Sequence, residues 1–456
     1  MTTGALRFEL EASKAPMDED LSEAERATFA RLQISLAGTP LTRVVSTGGE
    51  PRDWVRGPMS GLAEWIVEQW VWLLWEAHTP FPKSLLGGKR AIPGLHDASR
   101  FWPDVDAQTV RDRGALGRWQ LRHTLGVGAS DLALPSISFL PEDRMIGVFV
   151  AEQAAALDPT VDFVAYEQEP AWLGADDLRE VLANFTRDVL ELATENGAVR
   201  WSNWLGELWA AQQAKEADPR ERTRAALGEF AAARWDEASA TLGPDAEALR
   251  GLLLDAPTIE DEAAWSNYVA SVHRVSARQM GADAGLRALA PVSLASGSAP
   301  FRQGQQMAAS FREELGNRDR PIDLRQTFEQ IRLEWQAVDA PAFRSAVVRS
   351  QSGAGCVYFD RELGVAPRRF ALAAALGRLL GARSDRPFGA AHGASSRYRE
   401  SQRANAFAAE LLLPAAALRG RGESDLDVLC DDFGISRSAA SWQIKNRGGA
   451  RDALRG

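Results

Sequence analysis

The stretch from Cys356 to Pro414 limits the folds open to this 456-residue chain more than any other part of it. Cys356-Val357-Tyr358-Phe359-Asp360 has the β-branched and aromatic content of a short strand. Arg368 to Leu380 has the length and the alanine and leucine content of a helix, with Leu372, Leu376 and Leu379 on one face. A third segment runs from Glu400 to Pro414. In it Ala404, Phe407, Ala408, Leu411 and Leu412 recur at i, i+3, i+4, i+7 and i+8, the stripe of a helix packed on one side. A strand followed by two such helices must bury them against a sheet, so this part of the chain is α+β.

The rest of the chain is organised around that block. Its length allows roughly two to four domains of about 100–200 residues. We read a tryptophan-rich mixed α/β region at 1–160, a mainly helical region at 161–295, a C-terminal domain at 303–418 and a tail at 419–456. The first region is expected to hold a helix around Ser22–Ala37 and another from Ser60 to Glu76. Strands are expected at Ile137–Leu140 and Ile146–Val150, joined by the turn Pro141-Glu142-Asp143-Arg144. In the second region Leu178, Val181, Leu182, Phe185, Val189 and Leu192 form a helical stripe, with later helices at Thr223–Ala240 and Ala263–Arg278. Ser296-Gly297-Ser298-Ala299-Pro300 marks the boundary to the last domain. Trp65, Trp70, Trp72 and Trp75 are read as core, because aromatics of this size dominate burial. His123, followed by Gly126-Val127-Gly128, is read as a residue before a turn, and His78 and His96 as structural.

Composition narrows the classes further. No apolar run approaches the roughly 18–20 residues of a membrane span, and Met1 to Pro16 lacks the apolar centre of a signal peptide. The two cysteines, Cys356 and Cys430, are too few for a disulfide framework and are expected to be free thiols in a reducing cytoplasm. A net charge of −10 argues against broad nucleic-acid binding, which needs a positive footprint. Richness in arginine and alanine suggests a high-GC bacterial genome.

The order strand, Phe370-Ala371-Leu372-Ala373-Ala374-Ala375-Leu376-Gly377-Arg378-Leu379-Leu380, then Ala404-Asn405-Ala406-Phe407-Ala408-Ala409-Glu410-Leu411-Leu412-Leu413-Pro414 resembles the ImmA/IrrE family of zinc metallopeptidases. The resemblance covers about residues 303–456, and Gln303 to Pro321 looks like the family's opening helix. It implies a zincin-like (IrrE N-terminal-like) domain with a helix-turn-helix-like tail. It also implies where a His-Glu-x-x-His motif would lie. The first histidine falls on Ala374, the glutamate on Ala375, the second histidine on Arg378, and the downstream glutamate ligand on Ser401. Catalytic zinc needs three donors, and methyl groups supply none. A guanidinium is cationic and has no lone pair to give. We therefore expect no zinc and no catalytic residue. Positions 374 and 378 are expected to line a cleft with Glu400, Glu410 and His392, and Arg378 either reaches solvent or pairs with Glu400 or Glu410.

The tail from Leu426 to Asn446 has a helix-turn-helix rhythm, with Ser436 as a natural N-cap. Arg437, Lys445 and Arg447 are its candidate nucleic-acid contacts, although basic and acidic residues balance over 421–456. The expectation is a noncatalytic regulatory protein that binds a protein partner, such as a repressor-like regulator, with no membrane role. Two alternatives stay open: a zinc peptidase with unusual ligands, including His392 with Glu400 or Glu410, and a DNA-binding regulator acting through the tail.

Overall fold

The computed structural model describes residues 6–16, 21–46, 50–77, 79, 113–128, 132–142, 145–150, 161–163, 170–240, 242, 246–256, 262–277, 300–350, 353–382, 388–393, 398–418, 425–441 and 443–444. The chain forms two compact units, Met1–Glu229 and Phe230–Gly456. The division falls inside the stretch read from sequence as one helical region. No described helix is long and apolar enough to cross a membrane.

In the first unit β1 (Leu6–Ala12) pairs antiparallel with β2 (Phe29–Leu36). β3 (Thr39–Pro40) and β5 (Val55–Pro58) also pair with β2, while β4 (Val44–Ser46) pairs with β8 (Val161–Phe163). β6 (Ile137–Glu142), β7 (Met145–Val150) and β9 (Ala171–Gly174) make a separate antiparallel sheet. The β6–β7 hairpin is the one expected, with Asp143 and Arg144 outside the described residues. The helix expected over Ser22–Ala37 is corrected. Ser22 caps only the short helix Glu23–Ala27, through a capping box with Glu25. The chain then enters β2, whose Leu32, Ile34 and Leu36 alternate into the core. The sheet's alternation overrides the cap.

Ser60–Glu76 forms two helices, α1 (Ser60–Glu68) and α2 (Trp70–Trp75), broken at Gln69. α3 (Arg113–His123) follows. Trp65 and Trp70 are buried, as a core reading requires, and Trp72 and Trp75 pack half-buried against the same cluster. α4 (Ala175–Glu195) buries Leu178, Leu182, Phe185 and Val189 in the predicted stripe. α5 (Val199–Ala217) supplies Glu216, which accepts from the indole nitrogens of Trp70 (2.7 Å) and Trp75 (3.3 Å) and from Arg179. The helix expected at Thr223–Ala240 is interrupted. α6 (Pro219–Leu227) stops at Gly228, whose φ of +91° no helix accommodates.

The second unit holds α7 (Ala246–Leu254), α8 (Glu262–Ser276), α9 (Pro300–Glu314) and α10 (Leu324–Ile331). Its sheet has the order β10 (Glu334–Val338), β12 (Gly355–Asp360), β11 (Ser345–Arg349), β13 (Phe388–His392). β10 runs parallel to β12, and the other pairs are antiparallel. α11 (Val365–Gly381) lies on the sheet and packs against α12 (Tyr398–Leu412), while α9 packs along α12. Met307, Phe311, Val347, Val357, Leu376, Phe407 and Leu411 share one apolar core. α13 (Leu426–Phe433) closes the described chain with a short helical stretch after Ser436.

Candidate functional site

α11 carries Ala374, Ala375 and Arg378, three of the four positions that the resemblance aligns with the zinc motif. From Ala371 to Leu379 every residue of it is buried. The face of Ala374 and Arg378, expected at a cleft, is therefore as covered as the face of Leu372 and Leu376. Placing a guanidinium there requires an anion. That anion is Asp255, directly after α7, and the sequence reading did not foresee it.

Nη1 of Arg378 donates to Asp255 Oδ2 at 3.0 Å, and both side chains are fully buried. Nη2 donates to Ser401 Oγ at 2.9 Å, which joins two of the four motif positions directly. Glu400 Oε1 stands 3.7 Å from Nη1, so the expected pairing with Glu400 is present as the longer of two ion pairs. The Asp255 carboxylate also accepts the Ala391 N–H of β13 at 2.7 Å. One cation thus meets two carboxylates and a hydroxyl in an interior where an unpaired charge would be costly.

Glu410 is not part of this cluster. Its carboxylate accepts the Ala415 N–H at 2.9 Å and Nε2 of Gln443 at 2.7 Å, and Gln443 also donates to the Leu413 carbonyl. Burial raises the Glu410 pKa to about 6, against the opposing pull of the Ala415 N–H, the Arg312 charge and Gln443. Arg312 itself is buried on α9 and donates to the carbonyls of Leu411 and Arg320. His392 ends β13, its ring 6.2 Å from that of Phe370. Burial, then the charges of Arg378 and Arg344, push its pKa down to about 3. The four candidate pocket residues therefore separate. Arg378 and Glu400 share one cluster, Glu410 belongs to the tail contact, and His392 sits at the strand end.

Chemically, these residues do not fit zinc. The four motif positions offer two methyl groups, a guanidinium and a hydroxyl, and the guanidinium puts a positive charge where the cation would sit. Among the described residues no group of three His, Cys, Asp or Glu side chains converges. Asp255 was invisible in the sequence because its partner lies 123 positions away. The only local signal is a single acid closing the apolar run Leu252-Leu253-Leu254.

The tail packs as a helix-turn-helix. Gly434 ends α13 in the left-handed conformation, and Ser436 Oγ accepts the Ala439 N–H at 3.3 Å, the expected N-cap. Leu429, Phe433, Ile435 and Ala440 are buried in the core that holds α11 and α12. Arg437 pairs with Asp427 at 2.7 Å on the surface, while Lys445 and Arg447 lie outside the described residues. In the first unit His123 is buried. Its Nε2 is 2.8 Å from Glu76 and its Nδ1 3.0 Å from the Phe139 carbonyl, with Trp119 stacked on the ring. Burial lowers its pKa against the pull of Glu76. His78 and His96 lie outside the described residues.

Residues 329–445 match the family profile of the IrrE N-terminal-like domain. The chain carries an IrrE N-terminal-like domain. A search of curated proteins finds no match. The IrrE-like match opens within α10 and takes in the whole sheet, α11, α12 and α13. Asp255 lies outside it, so the carboxylate that meets the motif arginine comes from sequence upstream of the IrrE-like domain.

Proposed function

We propose that this chain uses its IrrE-like domain without catalysis, as a pseudopeptidase that holds a protein partner and leaves it uncut. One observation carries this reading: Arg378, which the resemblance aligns with the second histidine, is ion-paired in the interior with Asp255. Zinc-dependent hydrolysis needs an open coordination position and a general base beside it. Ala375 stands where that base would be, and Ala374 and Ser401 stand where two of the ligands would be. The intact core around α11 and α12 supports a retained scaffold. The two free cysteines suit a reducing cytoplasm, and a bacterial regulatory role, with a repressor-like partner, follows from what such domains do when active.

Metal analysis of protein purified without chelators tests the reading, with zinc expected well below one per chain. A pull-down from lysate should return a partner of unchanged mass after prolonged incubation. Stoichiometric zinc, or a partner recovered in fragments, overturns the proposal in favour of a peptidase with unusual ligands.

A further inference from the structure

Among the described residues β13 is an edge strand, paired with β11 on one side. Such an edge offers unpaired N–H and C=O groups to any extended segment laid beside it. Here the edge is already taken. α7 lies so close that a Cβ on Gly389 would stand 2.0 Å from the Ala248 carbonyl oxygen, and a Cβ on Gly251 would stand 3.3 Å from the Gly389 oxygen. Two glycines make this approach of helix backbone to strand backbone feasible. Two residues further along the strand, the Ala391 N–H donates to Asp255, the residue that follows α7. The same carboxylate oxygen receives Nη1 of Arg378.

A single short segment, Ala248–Asp255, therefore does two things. It covers the strand edge where an extended chain would add, and it puts a carboxylate on the cation that replaces the motif histidine. We propose that α7 and Asp255 form a tethered plug that closes the IrrE-like cleft from within the chain. This rests on the noncatalytic reading of the domain. With the plug in place, no extended segment reaches β13, and the Asp255 side chain occupies the space a water or substrate oxygen would need.

The test rebuilds the missing donors in the full chain with A374H/A375E/R378H/S401E, with and without D255A, and adds cobalt chloride. With Asp255 retained, cobalt is expected to bind in a closed four-donor site whose visible spectrum acetohydroxamate leaves unchanged. With D255A added, an open position remains and acetohydroxamate shifts the spectrum. Equal shifts in both backgrounds overturn the plug. If neither variant takes up cobalt, amide exchange in the otherwise unaltered D255A chain decides, read as the Ala391 rate relative to the amides of the β11–β13 ladder. The Ala391 amide is then expected to exchange about tenfold faster, with the β11–β13 ladder unchanged. An unaltered Ala391 rate overturns the plug. Zinc in the native chain would defeat the noncatalytic reading, and both of these readouts would still judge the plug.

Discussion

Asp255 and Glu410 are buried carboxylates of the same unit, kept by opposite means. Asp255 meets a guanidinium and a strand amide, and that guanidinium also stands 3.7 Å from Glu400. Glu410 is hydrogen-bonded by neutral donors, the Ala415 N–H and the Gln443 amide, with Arg312 contributing only through its field. The first arrangement compensates charge with charge, so it is rigid and fails badly if one member is removed. The second leaves a carboxyl whose proton is exchangeable near neutral pH. The cluster at the Arg378 position is thus held by opposite charges, while the contact between α12 and the tail holds a carboxyl that titrates near pH 6.

The sharpest way to break this contrast is to remove one charge. D255A should cost about 3–5 kcal/mol in denaturant unfolding, because it strands the Arg378 cation. The paired change D255L/R378M should recover part of that loss, since it removes the stranded cation, while Glu400 loses its arginine and the Ala391 N–H its acceptor. A loss of under about 1 kcal/mol for D255A would mean that the guanidinium finds water or another anion.

The next largest effect is at His392. Its folded value of about 3 lies below the ordinary 6.5, so between those limits the unfolded chain binds more protons. Stability should fall on acidification below about pH 6.5, by about 1.4 kcal/mol per pH unit for this group. The H392N variant should lose that slope, as unfolding measured at several pH values would reveal. Glu410 works in the opposite direction. Its folded value of about 6 exceeds the ordinary 4.5, so the folded chain binds the extra proton in that window. Its contribution is present below about pH 4.5 and is lost as pH rises through about 6, a change of about 2 kcal/mol. E410Q should remove it; an unchanged profile in E410Q would place the proton elsewhere.

The smallest effect expected is chemical. Burial pushes the Cys356 thiol up to about 12, so a thiol reagent should leave it unlabelled in the folded protein at neutral pH. Burial and the nearby Asp427 raise Cys430 as well, but it is half-exposed and should label slowly. Rapid labelling of Cys356 would show that β12 opens locally.

What could be read from the sequence was what depends on near neighbours. The strand at Cys356–Asp360, the helix around Arg368–Leu380 and the stripe from Ala404 to Leu412 all follow from local spacing, and β12, α11 and α12 stand there. The assignment of Ala374, Ala375, Arg378 and Ser401 to zinc-motif positions rests on the family resemblance and on which side chains carry lone pairs. The error over Ser22–Ala37 came from weighting the cap at Ser22 above the alternation of Leu32, Ile34 and Leu36, a signal the sequence did contain. The partner of Arg378 was not readable. A lone aspartate after three leucines gives no hint of the residue it will meet, and the approach of Gly251 to Gly389 depends on two distant backbones.

The origin of Asp255 upstream of residue 329 also bears on how such a gene can change. A fragment excised at the homology boundary would keep Arg378 and Glu400 and leave behind the nearer of the arginine's two carboxylates. Moving the module alone would take Arg378 away from the carboxylate 3.0 Å from it, so two coding stretches that no motif connects share one buried ion pair.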